Sequence, residues 1–163
     1  MGVDPTDVTG GKGELIDTDV TTEQLYNEFS GVRLAPDQRA EVLLDGVTDA
    51  LSEGDFRFAE GMVKSNLEEI LLLLVAGREA DAHGKGLMGD LATVFDTRLS
   101  PGTVYPRLHD LESDGLLSVQ ELVRTKEYRI EDDSGVAERV EAAMEQHLAL
   151  GLFFRAALAD FDD

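Results

Sequence analysis

Residues 100–130 constrain the fold more than any other stretch, because they spell a capped helix that runs directly into a hairpin. Ser100 ahead of Pro101 places an N-cap before a preferred first-turn residue. Val104, Leu108 and Leu111 then recur at i, i+4 and i+7, one face of a helix that Asp114-Gly115 ends. Residues 116–123 and 127–130 are rich in apolar and β-branched side chains, and Arg124-Thr125-Lys126 separates them as a turn. Upstream, a loop holding His83-Gly84 leads into a helix over roughly residues 85–95, with Leu87, Leu91 and Val94 at helical spacing. Two helices joined by a tight turn make a helix-turn-helix, whose second helix enters a major groove; the hairpin behind it is the wing. Pro106 leaves two starts open for that second helix. From Ser100, Pro106 removes an interior donor and crowds Gly102, where the missing Cβ softens the clash. From Thr103, Pro106 is a third helical residue, where no donor is needed.

The rest of the chain reads as helices on either side of this unit. Residues 1–13 are rich in Gly, Asp and Thr and are expected to form a flexible tail, without the basic start and apolar run of a signal peptide. Thr21 or Thr22 caps a short helix through Phe29. Pro36 opens a second, striped by Ala40, Leu43, Leu44, Val47, Ala50 and Leu51. A third is expected over residues 58–76, with Met62, Leu67, Ile70, Leu71, Leu74 and Val75 inward and Gly77 as its stop. A last helix is expected over residues 136–161. The fold class is therefore mainly α: a winged helix-turn-helix with a small β-hairpin wing, N-terminal helices and a long C-terminal dimerisation helix. The expected division is a tail over 1–20, a helical extension over 21–55, the winged-helix domain over 56–135, and the dimerisation helix over 136–163.

Charge says where such a chain works. With 34 acidic against 14 basic residues the formal net charge is −20. A tightly folded chain repels itself at that charge, and salt relieves the repulsion because the Debye length falls to about 3 Å at 1 M. Adaptation to very high intracellular salt fits better than an ordinary acidic surface. A disordered acidic tail fits poorly, since the acids are dispersed through apolar-periodic segments. The charge is also uneven: residues 78–130 hold seven basic and nine acidic residues, and the remainder holds seven and 25. A surface that meets a polyanion needs that sparing.

Several function classes drop out. There is no cysteine, so disulfides, thiolate metal sites and thiol redox sensing are excluded. No apolar run approaches the ~18 residues of a spanning helix, and a cytoplasmic protein is expected. His83, His109 and His147 fall in no metal-ligand spacing, and no transition-metal site is expected. The sequence holds no Ser/His/Asp arrangement, phosphate-binding Gly-rich loop or paired-carboxylate motif, so no catalytic residues are assigned and an enzyme is not expected.

Leu99-Ser100-Pro101-Gly102-Thr103-Val104-Tyr105-Pro106-Arg107-Leu108, continued by His109-Asp110-Leu111-Glu112-Ser113-Asp114-Gly115-Leu116, resembles the recognition helix of the PadR family of winged-helix transcription regulators. That family typically shows Ser-x-Gly-Thr-Leu-Tyr-Pro, then Leu-x-x-Leu-Glu-x-x-Gly. The leucine run before His83-Gly84 is similar to the family's Leu-rich helix and His-Gly-Tyr, with Lys85 in the place of that Tyr. Tyr128-Arg129-Ile130 and Ser134-Gly135 match the family's Tyr-x-Leu/Ile and the glycine beyond its wing. The resemblance covers about residues 67–135, and its general look is that of haloarchaeal members, one of which responds to oxidants. It implies a homodimeric regulator that binds double-stranded promoter DNA, with a stress response as one expected role. An oxidant signal would have to lie outside thiol chemistry, and Met62, Met88 and Met144 are expected in the core. The alternative is a winged-helix protein-interaction module that does not bind DNA.

The candidate DNA-binding residues are chosen by position and chemistry. Arg107 suits a phosphate or the O6/N7 edge of guanine, against a plain ion pair with Asp110 or Glu112. Ser100 and Thr103 suit phosphate at a helix N-terminus. Tyr105 either offers its hydroxyl to phosphate or packs between helix and wing. Lys85 and Arg98 suit phosphate clamps; Arg124 and Lys126, at the expected hairpin tip, suit backbone or minor-groove contact. Val140, Met144, Leu148 and Leu152, with Phe153, Phe154, Leu158 and Phe161 beyond, carry more apolar surface than a lone terminal helix should expose, and are expected at a dimer interface. No cofactor is expected beyond monovalent cations such as K+ near Asp96, Asp110 and Glu127, where acids approach the DNA face.

Overall fold

A computed structural model describes residues 56–78 and 80–161, together with Leu44, Asp45, Val47 and Leu51. Those four positions are helical, in keeping with the stripe expected after Pro36. The expected tail, the helix after Thr21 or Thr22, and Pro36 itself lie outside the described residues.

The described chain runs α1 (Glu60–Ser65), α2 (Leu67–Ala76), α3 (Gly84–Val94), α4 (Pro101–Ser113), β1 (Leu117–Glu121), β2 (Lys126–Ile130) and α5 (Asp133–Leu158). The single helix expected over 58–76 is thus two. The break is Asn66 (φ −114, ψ 20), whose side-chain amide donates to the Met62 carbonyl at 2.9 Å. An Asn side chain that competes for backbone acceptors disfavours helix interior, and the helical dihedrals are interrupted there. Gly77 does cap α2, though with φ −76 rather than a left-handed conformation.

α2 is the hub and packs against α1, α3, α4, β2 and α5. Leu71 and Leu72 of α2, Leu87 and Leu91 of α3, and Val104, Leu108 and Leu111 of α4 are fully buried, with Leu117 and Tyr128 of the wing closing the core. Truncating any of these leucines to Ala costs about 2–5 kcal/mol. Met62, expected inward, is exposed, as is Met144, and Met88 is half-buried.

α4 begins at Ser100, which settles the open start: the helix runs unbroken through Pro106. Gly102 sits four residues before the proline, so the ring meets no Cβ there. The far end closes as a Schellman motif: the Leu116 amide reaches the Leu111 carbonyl and the Gly115 amide the Glu112 carbonyl, with Gly115 at φ +77. The turn from α3 uses Asp96 at φ +49, followed by the buried Thr97, whose hydroxyl donates to the Phe95 carbonyl.

β1 and β2 pair antiparallel from Leu117↔Ile130 to Glu121↔Lys126. The wing strand is shorter than expected, for Leu122 and Val123 belong to the connection, which the Leu122 amide closes onto the Thr125 carbonyl at 2.8 Å. Lys126 therefore lies on a strand and not at the tip. β2 also pairs outward: the Tyr128 amide donates to the Ala82 carbonyl, and His83 bridges Glu127. α5 starts at Asp133, earlier than expected, because the Asp132 side chain caps it by accepting from the Gly135 amide at 3.0 Å. A Cβ on Gly135 would meet Leu116 at 2.9 Å, which explains the glycine.

Candidate nucleic-acid interface

The loop before α3 builds the site's floor. His83 caps α3, its Nδ1 accepting from the Gly86 amide at 3.0 Å. A Cβ on Gly84 would lie 2.5 Å from the Tyr105 ring, so the glycine lets α4 press its tyrosine onto the start of α3. Arg78 fastens the same loop, donating to both carboxylate oxygens of Asp90 at 2.7 and 2.8 Å. Its pKa is raised chiefly by that hydrogen bond, against the opposing effect of burial.

Four of the expected DNA-binding residues then meet. Lys85, Tyr105, Arg124 and Lys126 line one groove of about 580 Å³ between α3, α4 and the wing, with His83, Gly84 and Glu121. Tyr105 is partly exposed there while its ring covers Gly84, so it packs and faces the groove at once. Arg98, Ser100 and Thr103 gather at the N-terminus of α4. The Ser100 and Thr103 hydroxyls lie 3.1 Å apart and pair with each other; Ser100 makes no side-chain cap bond.

Arg107 is placed differently. It pairs neither with Asp110 nor with Glu112 but with Glu68 of α2, at 3.2 Å. Glu68 is shared with Arg139 of α5, which also meets Glu69 at 3.2 Å and Asp114 at 3.6 Å. Burial works against the Arg139 charge, but its hydrogen bond to Glu69 and the charge of Glu68 outweigh it and raise the pKa. This cluster ties α5 to both α2 and the end of the recognition helix. Sequence reasoning missed it, since Arg107 and Glu68 are 39 residues apart.

Among the described residues, the basic side chains that enter no ion pair are Lys85, Arg98 and Arg124. All three belong to the helix-turn-helix and wing. Lys126 reaches Glu121 only at 3.8 Å, with both side chains largely exposed, a pair worth about 0–1 kcal/mol. Of the acids named for cations, Asp96 pairs with Arg57 and Glu127 with Arg129, at 3.3 and 3.4 Å. Among the described residues no group of three or more His, Asp or Glu is arranged to hold a metal ion.

Residues 71–139 match the transcriptional regulator PadR-like family. This stretch of the chain is thus similar to a PadR-like domain. The match runs from within α2 to the first turns of α5 and includes the elements that build the groove. Among curated proteins, the chain is 41% identical over 102 residues to transcriptional activator GvpE1 of Halobacterium salinarum, covering 63% of this chain and 53% of that one. It is 44% identical over 98 residues to transcriptional activator GvpE of Haloferax mediterranei, covering 60% and 50%. The chain thus spans about half the length of the curated relatives it matches. Among solved structures, a PadR-like transcription factor from Bacteroides fragilis aligns with a TM-score of 0.45 at 24% identity, over 57% of this chain and 94% of that one. The curated relatives are activators by name, and none is named for an oxidant response.

The other candidate surface is α5. Val136 of α5 is buried and Val140 packs against the core of its own chain. Met144, Leu148, Leu150, Leu152, Phe153, Phe154 and Leu158 are exposed. Met144, Leu150 and Phe154 border an apolar groove of about 490 Å³ that α5 forms with Met62, Ile70 and Phe95. His147 meets Asn66 across it at 2.7 Å. Among the described residues no helix is long and apolar enough to cross a membrane.

Proposed function

We propose that this protein is a sequence-specific DNA-binding transcription regulator that acts as a homodimer in a cytoplasm of very high salt. The observation that carries the reading is the placement of unpaired positive charge. In a chain of net charge −20, the described cations left without a carboxylate surround the recognition helix and wing. Lys85, Arg98, Arg124 and Lys126 would clamp phosphates, which fixes register on the duplex. Arg107, anchored by Glu68, suits a phosphate at the groove wall better than a base edge. A second copy docking on the exposed apolar half of α5 would set two recognition helices in successive major grooves. The protein then works by binding and not by catalysis. Relatives named as activators favour activation over repression. The protein-interaction alternative leaves the unpaired cations without a purpose.

The net charge, doubled in a dimer, opposes DNA at low ionic strength. High salt removes that repulsion, and monovalent cations such as K+ near Asp96, Asp110 and Glu127 would bridge acid and phosphate. Each phosphate neutralised by Lys or Arg normally adds a slope of roughly −0.9 to log K against log salt; cation uptake adds a positive term. Calorimetric titration on genomic fragments across a KCl series should give a slope near zero or positive into the multimolar range. A steep negative slope in the folded dimer would remove ion uptake and leave acidity as a solubility adaptation. Absence of binding to any DNA would overturn the regulator reading itself.

A further inference from the structure

The inward face of α4 fixes its outward face. Val104, Leu108 and Leu111 are fully buried, so at 3.6 residues per turn the opposite stripe is Gly102, Pro106, His109 and Ser113. All four are exposed. In a chain where acids outnumber bases 34 to 14, this stripe holds no Asp or Glu, although Asp110 borders it. It also holds no Lys or Arg. Gly102 and Pro106 make it shallow, and Pro106 has no N–H to give the Gly102 carbonyl four residues earlier. Tyr105 is turned aside onto Gly84, and Arg107 is turned to the other flank by Glu68. The one long polar side chain left on the stripe is His109, which is 77% exposed, with only its Nδ1 facing Glu112, at 3.8 Å. Its Nε2 has no partner within the described chain.

We infer that with His109 this protein distinguishes a purine from a pyrimidine at one position of its site, its Nε2–H donating to the N7 acceptor that a purine presents in the major groove. The shallow Gly102-Pro106 surface lets the helix approach closely enough for a side chain of this length, while the flanking cations hold phosphates. The inference rests on the DNA-binding reading and deepens it.

The test is a selection of sites from a random duplex library by the full-length protein in multimolar KCl, followed by titration of His109→Ala. The variant should lose about ten- to hundredfold on the selected site and no more than about twofold on a scrambled one, where phosphate contacts dominate. Replacing the contacted purine by its 7-deaza analogue should weaken the wild type and leave His109→Ala unchanged. Equal losses on both sites, or none, would overturn the assignment while leaving DNA binding standing. Failure of the wild type to bind any duplex would overturn both. The melting temperature of the variant should match the wild type; His109→Gln replaces it if it does not.

Discussion

The recognition head and the outer half of α5 are both unfinished surfaces, and they lack opposite things. Around α4 and the wing the inward side chains are packed, and Lys85, Arg98 and Arg124 stand exposed without a carboxylate partner. Beyond Val140 the charges are few among exposed Met144, Leu148, Leu152, Phe153 and Phe154, and what is left unsatisfied is apolar area. Cations without carboxylate partners fit a polyanion; apolar area without cover fits another apolar helix face. Under the proposed function, the two regions would take partners of different chemistry without any residue serving both. The Arg139 cluster with Glu68, Glu69 and Asp114 joins the two regions.

The sharpest way to break the comparison is to charge the apolar region. Met144→Glu with Leu148→Glu should convert a dimer wholly to monomers in sedimentation at multimolar KCl, while the head keeps its melting temperature. A surviving dimer would place the interface elsewhere. Next in size, Leu108→Ala should cost about 2–5 kcal/mol in denaturant unfolding. Phe153→Ala should leave the unfolding of a monomeric variant nearly unchanged, because its side chain is mostly exposed. Equal costs would mean that α5 is core and not an arm. The smallest effect is expected at Arg107→Ala. If Arg107 meets only phosphate, affinity should fall by a similar factor on every sequence and the salt slope should shift upward by about 0.9 per bound subunit. A loss confined to one site would return Arg107 to base reading.

The order of elements from α3 to α5 is legible in the sequence because periodicity, caps and turn residues agree there: Ser100-Pro101, the 104/108/111 spacing and Asp114-Gly115 all name the same helix. The start of α5 is not, because Ser134-Gly135 reads as a loop, and only the structure shows Asp132 capping across it. The break at Asn66 is hidden within an unbroken apolar pattern. Lys126 reads as a tip residue because the apolar Leu122 and Val123 extend the strand pattern, yet their side chains are exposed in the turn. That four site residues share a groove agrees with the winged-helix order, but their pairing is not written there. Ion pairs such as Arg107–Glu68 depend on tertiary packing that no local spacing encodes. The outward stripe through His109 is within reach of the sequence, as the phase complement of the leucines.

If unpaired charge on the head is what meets DNA, its removal should show in a single titration. The triple variant Lys85→Gln, Arg98→Gln, Arg124→Gln should be compared with the wild type for affinity against KCl concentration on the same duplex. None of the three side chains is buried or ion-paired, so fold and dimer should persist. Binding should weaken on all sequences and the salt slope should shift upward by about 0.9 for each lost contact per bound subunit. Unchanged affinity and slope in the folded dimer would contradict DNA contact through these charges.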